Sequence, residues 1–179
     1  MTTQRLRILI LAHSLGASVI NSTLVSLDNN TKWKNNGFKI TSIHLLGAAI
    51  NSNTPSVNAT FGAGIAHIVD KFYNVYDPRD DMLSLEYPIY DQYHFALGSI
   101  GADFSVIRPG NYIQQNVAGE LLLSDANGTA QIDCLDNLVP FYYNHCGYIG
   151  FRDPSNLNSL RSDGVIGTVV YDWKGTITP

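Results

Sequence analysis

Ile8-Leu9-Ile10-Leu11-Ala12-His13-Ser14-Leu15-Gly16-Ala17 passes from an apolar ribbon through a tight turn into a helix. Leu6 to Leu11 is dominated by leucine and β-branched residues, the pattern of a strand buried on both faces. From Ala17 to Leu27, Val19, Ile20, Leu24 and Leu27 recur at helical spacing. Ser14 stands at the corner between the two, with Ala12 and Gly16 two positions to either side. A serine on such a corner is lifted clear of the sheet, and its neighbours must be small so that strand and helix can approach. The helix N-terminus behind it favours developing negative charge. The backbone N–H of Leu15 would point at an oxyanion.

Outward from this corner, strand-like and helix-like pieces alternate. Asp28-Asn29-Asn30 and Asn35-Asn36-Gly37 break the helix. Phe38 to Leu46 is a second buried strand that ends at Gly47, and a loop rich in Asn, Ser and Pro follows from Asn51 to Asn58. A short helix is expected from about Gly62 to Val69, then a third strand from Lys71 to Tyr76. Asp77-Pro78 stops that strand, because proline donates no backbone hydrogen bond and disfavours helix before it. Asp81 to Gly98 is expected to be partly helical, interrupted by Pro88. No element is assigned between 99 and 135, where Asn127-Gly128 marks a turn. Val139 to Tyr143 is a fourth strand candidate, and Gly164 to Trp173 is apolar and ambiguous. Strands separated by helical segments predict parallel βαβ units and a three-layer α/β sandwich with a mostly parallel sheet. The 179 residues make one domain, large enough to bury about two-thirds of the unfolded surface. A cap or lid insertion is placed around 83–115.

Composition narrows the function classes. Hydrophobic residues make up 45% and charged residues 15%, with a net charge of −4, so the chain lacks the basic surface of a nucleic-acid binder. No run approaches the roughly 18 apolar residues of a membrane span, and the apolar run at Ile8–Ala12 is too short for a secretory signal. A soluble, cytoplasmic protein is expected. Two cysteines, Cys134 and Cys146, are too few for a disulfide scaffold. No His-Glu-x-x-His or Cys-x-x-Cys occurs, so neither metal nor other cofactor is expected.

The corner Ala12-His13-Ser14-Leu15-Gly16 resembles the nucleophile elbow of the α/β-hydrolases, with Ala12 in place of the first glycine, and His13-Ser14-Leu15-Gly16 is similar to lipases and esterases. The resemblance implies a serine nucleophile, an acid and a histidine in that chain order. The acid is expected just past a strand end, in Asp77-Pro78-Arg79-Asp80-Asp81, with Asp81 the first choice and Asp80 the second. The base is expected on a late loop, where His145 follows the run Val139–Tyr143. In that reading Ser14 attacks a small-molecule acyl substrate, His145 moves the proton, Asp81 orients His145, and Leu15 N–H supports the oxyanion. Taken without the elbow, Asp77–Asp81 reads as a solvated turn, and His145 as a strand cap.

The family carries several strands and helices before its elbow strand, including the loop that gives a second oxyanion N–H. Here Met1 to Arg5 stand there. The expected fold is therefore an N-terminally truncated hydrolase, with an open edge at Leu6–Leu11 through which two copies could pair. A binding or assembly module without turnover, or a fragment of a larger hydrolase, is the alternative. His13 beside the nucleophile is expected to pack or hydrogen-bond, and His44 to be a satisfied core histidine. His67 and His94 lack partners at metal-ligand spacing. Tyr90, Tyr93, Phe95, Tyr142 and Tyr148 could line an aromatic pocket or belong to the core.

Overall fold

The computed structural model describes residues 7–117 together with His145 and Tyr148. Among the described residues four strands form one sheet: β1 (Leu9–His13), β2 (Ile40–Leu46), β3 (Val69–Tyr76) and β4 (Tyr112–Asn116), in the order β1-β2-β3-β4. Every pairing is parallel. Parallel neighbours need long connections, and helices supply them. α1 (Gly16–Asp28) and a single turn, α2 (Thr31–Asn35), join β1 to β2, and α3 (Thr60–Ile68) joins β2 to β3. Between β3 and β4 lie a π-helical turn at Met82–Glu86, α4 (Tyr87–Tyr90) and α5 (Leu97–Ile100). The chain is of the α/β class. Among the described residues no helix is long and apolar enough to cross a membrane.

The register puts Ile10, Ile43, Phe72 and Tyr112 side by side across the four strands. Together with Ala12 and Leu45 they meet Ala17, Ile20 and Leu24 of α1 and Phe61, Ile65 and Ile68 of α3. This is the main core. Phe61 stands edge-on to Phe72 at 5.6 Å, and Tyr112 stacks on the other side of Phe72 at 5.6 Å. Aromatic pairs at such separations add to the stabilisation from area burial alone.

Several expected boundaries shift. The first strand starts at Leu9 rather than Leu6, the second at Ile40 rather than Phe38, and the third at Val69 rather than Lys71. The asparagines after α1 do more than break it. The Asn30 side chain accepts the Trp33 N–H at 3.0 Å and caps α2, a turn beyond the elements expected from sequence. Pro88 does not interrupt a helix. It lies in the first turn of α4, where a missing N–H costs little. β4 was not expected at all. Its sequence, Tyr112-Ile113-Gln114-Gln115-Asn116, has little apolar alternation. The last residues of the range 83–115 pair with β3 as the start of β4. The candidate strand Val139–Tyr143, the turn Asn127-Gly128, the segment Gly164–Trp173 and both cysteines lie outside the described residues.

Candidate active site

β1 ends at His13, and the chain turns sharply at Ser14, which adopts a left-handed φ of 54°. A non-glycine residue there carries roughly 1–3 kcal/mol of strain and persists only where its surroundings over-determine it. Three hydrogen bonds do so. Ser14 N–H donates to Leu46 C=O at 3.1 Å, and Ser14 C=O accepts from Ala17 N–H and Ala49 N–H, each at 3.1 Å. The corner is thus tied to α1 and to the end of β2. A methyl added to Gly16 would stand 3.4 Å from the Ala12 Cβ, an ordinary van der Waals contact, so Ala12 and Gly16 approach closely at the corner. Leu15 immediately precedes α1, its side chain is exposed, and its N–H makes no hydrogen bond among the described residues.

The Ser14 hydroxyl meets the His145 ring: Oγ to Nε2 is 2.7 Å. On the other side of that ring, Nδ1 is 2.8 Å from Asp80 Oδ2. An ionised carboxylate only accepts, so Nδ1 carries the proton and donates it to Asp80. Nε2 is then the bare nitrogen and accepts the Ser14 O–H. The three groups are 131 and 65 residues apart along the chain, and the fold brings them into one line.

Asp80 is held by the turn that follows β3. Asp80 N–H donates to Asp77 C=O at 3.0 Å. The buried Asp77 carboxylate takes the Arg79 backbone N–H at 2.9 Å and grips the Arg79 guanidinium at 3.1 and 2.9 Å. The second Asp80 oxygen accepts the Leu83 N–H at 3.1 Å, capping the π-helical turn. Asp80 is fully buried. Burial pushes its carboxyl above the ordinary carboxylate range, while the His145 hydrogen bond and charge pull the other way.

The carboxylate that meets His145 is Asp80, the second choice from sequence, and not Asp81, the first. Asp81, favoured from sequence, does not reach His145 and makes no side-chain cap to the turn it begins. Desolvation raises its carboxyl too. Adjacent residues leave the chain in different directions, and the Asp77–Asp80 turn points the side chain at 80 inward. Asp77, buried nearer the strand end, is occupied by Arg79.

Two further residues grip the segment that carries His145. His13 Nε2–H donates to the His145 backbone carbonyl, and the two imidazole rings lie 4.7 Å apart. Burial, and then the nearness of His145, lower the His13 pKa to about 4, so this ring is neutral near pH 7. Tyr148 is fully buried against Leu46, Val75 and Val117. Its ring lies over Gly47, where an added methyl would come within 2.7 Å of it and where φ is +52°. Tyr148 is therefore core, not pocket wall, while Tyr90, Tyr93 and Phe95 are exposed and Tyr142 is outside the described residues. The contacts of Tyr148 carry no sequence signature. For His13 the sequence implies packing or a hydrogen bond and leaves the partner open.

No family model, curated protein or solved structure matches the chain. The site is therefore read from its own chemistry. Its elements are a serine with a left-handed φ, an imidazole bonded on both ring nitrogens, a buried carboxylate and a backbone N–H beside the serine. The remaining histidines stand apart. His44 is buried inside β2, stacked on Tyr73 at 4.5 Å and 3.3 Å from Ser42 Oγ. His67 bonds Asp28 at 3.0 Å on the surface, and His94 bonds the Asp91 carbonyl. Among the described residues no three His, Cys, Asp or Glu side chains gather as metal ligands.

Proposed function

We propose that the protein is a serine hydrolase that cleaves an acyl ester, or a related carbonyl substrate, through an acyl-enzyme. The observation that carries this reading is the hydrogen-bonded line Ser14–His145–Asp80, with a tautomer that leaves Nε2 free to take the serine proton. The resemblance of the Ser14 corner to the α/β-hydrolase elbow, and the order serine, aspartate, histidine along parallel strands, support it.

Ser14 Oγ attacks the carbonyl carbon as its proton passes to His145 Nε2. The carbonyl oxygen becomes an oxyanion and draws stabilisation from Leu15 N–H at the start of α1. Collapse expels the leaving group, which takes the proton from Nε2. Water then attacks the Ser14 ester, His145 takes the water proton, and that proton returns to Ser14. Throughout, the Asp80 carboxylate holds Nδ1–H and stabilises the imidazolium that forms twice in the cycle. A single donor at the oxyanion is typically worth about 100- to 1,000-fold in rate.

A fluorophosphonate probe tests the proposal. Covalent labelling of Ser14 is expected, absent in Ser14→Ala and strongly reduced in His145→Ala. A folded wild-type protein that takes up no probe would end this reading.

A further inference from the structure

We propose that His13 is a positioning residue that sets the reach of His145 to Ser14, an inference that rests on the hydrolase reading above. A general base must sit within hydrogen-bond distance of the proton it removes, and an error of about 1 Å can cost on the order of 100-fold in rate. His145 lies 131 residues from Ser14 along the chain, so contacts at the site contribute to that accuracy. Asp80 bonds the ring through Nδ1, a contact that by itself does not set the position of the His145 main chain.

His13 supplies a contact to that main chain. It is the last residue of β1, one position before Ser14, and its place is set by parallel pairing with Leu46. Its Nε2–H bonds the His145 main-chain carbonyl, and its ring lies against the His145 ring at 4.7 Å. The nucleophile and the anchor of its base are thus neighbours on the same strand end. Any shift of the sheet carries both together, and the Ser14–Nε2 distance is preserved. Tyr148 lies beside them, its ring 6.0 Å from His13 and buried against Leu46, Val75 and Val117. A neutral imidazole suits the role, because a second cation beside His145 would oppose the imidazolium formed during turnover.

The test compares His13→Leu with His13→Gln, since glutamine can present an N–H near the place of Nε2 and leucine cannot. The readouts are the rate of fluorophosphonate labelling, the kcat and KM of a soluble ester, and the melting temperature. His13→Leu is expected to lower labelling rate and kcat by about 10- to 100-fold with KM little changed. His13→Gln is expected to lie nearer the wild type than His13→Leu does. Equal labelling rates in wild type and a folded His13→Leu overturn the inference while leaving the hydrolase reading intact. So does a folded His13→Gln as slow as, or slower than, His13→Leu. If His13→Leu fails to fold, His13→Gln alone decides: near-wild-type labelling upholds the anchor, and a loss of about tenfold or more at a native melting temperature overturns it. A wild type that never labels removes the hydrolase reading, and this inference with it.

Discussion

The helix-covered face of the sheet and the rim formed by the strands' C-terminal ends are built on different terms. On the face, Ile10, Ile43 and Phe72 line up across the strands and meet apolar side chains from α1 and α3. The interaction there is non-directional, and many sequences of similar volume would satisfy it. At the rim, Ser14, Asp80, His145, His13 and Tyr148 meet through directed bonds and one tight ring contact. The buried Asp77 and Asp80 carboxylates would be costly there without their partners. The face supplies stability with little specificity. The rim spends some of that stability on a strained serine and buried carboxylates, as functional sites commonly do.

Three experiments would sharpen or break this contrast. The largest effect is expected at the rim. Asp80→Asn should lower kcat/KM by roughly 10⁴-fold, because an amide no longer selects the tautomer with Nδ1 protonated. Asp81→Asn should leave the rate close to wild type. Steady-state kinetics on the two variants checks this, and a larger loss at 81 than at 80 would reverse the assignment of the acid. On the face, Phe72→Ala should destabilise the fold by about 3–5 kcal/mol, read from urea unfolding. The labelling rate of the protein that remains folded should change little. A large loss of reactivity at full occupancy of the folded state would show that the two regions are not separable.

The smallest effect is acid sensitivity at the rim. His13 titrates at about 4 in the fold and near 6.5 in the unfolded chain. Below pH 6.5 the unfolded chain binds a proton at this position that the folded protein refuses until about pH 4. Stability contributed by neutral His13 therefore falls as pH drops through that window. Melting temperature followed across it should fall less steeply in His13→Gln than in wild type. Parallel slopes would mean that His13 is solvated in the folded state.

Much of the face was legible in the amino-acid order. Buried parallel strands read as β-branched runs, and α1 shows its apolar stripe, so β1, β2, β3, α1 and α3 were found with errors of a few residues at their ends. β4 was missed because its polar residues lack the alternation that marks a strand. It is a strand because β3 offers it a partner. The corner at Ser14 was also legible, since small residues around a serine between strand and helix follow from local sterics.

What sequence determined by itself, then, is the local chemistry: where apolar runs must be buried, where the chain must bend, and which residue types could serve a hydrolytic site. Only the tertiary structure chose between Asp80 and Asp81, assigned His13 its carbonyl partner, and moved Tyr148 from a pocket candidate into the core. Those choices depend on angstrom-scale directions of side chains drawn from segments far apart in the chain. Neighbours in sequence with the same chemistry differ only in which way the folded backbone points them.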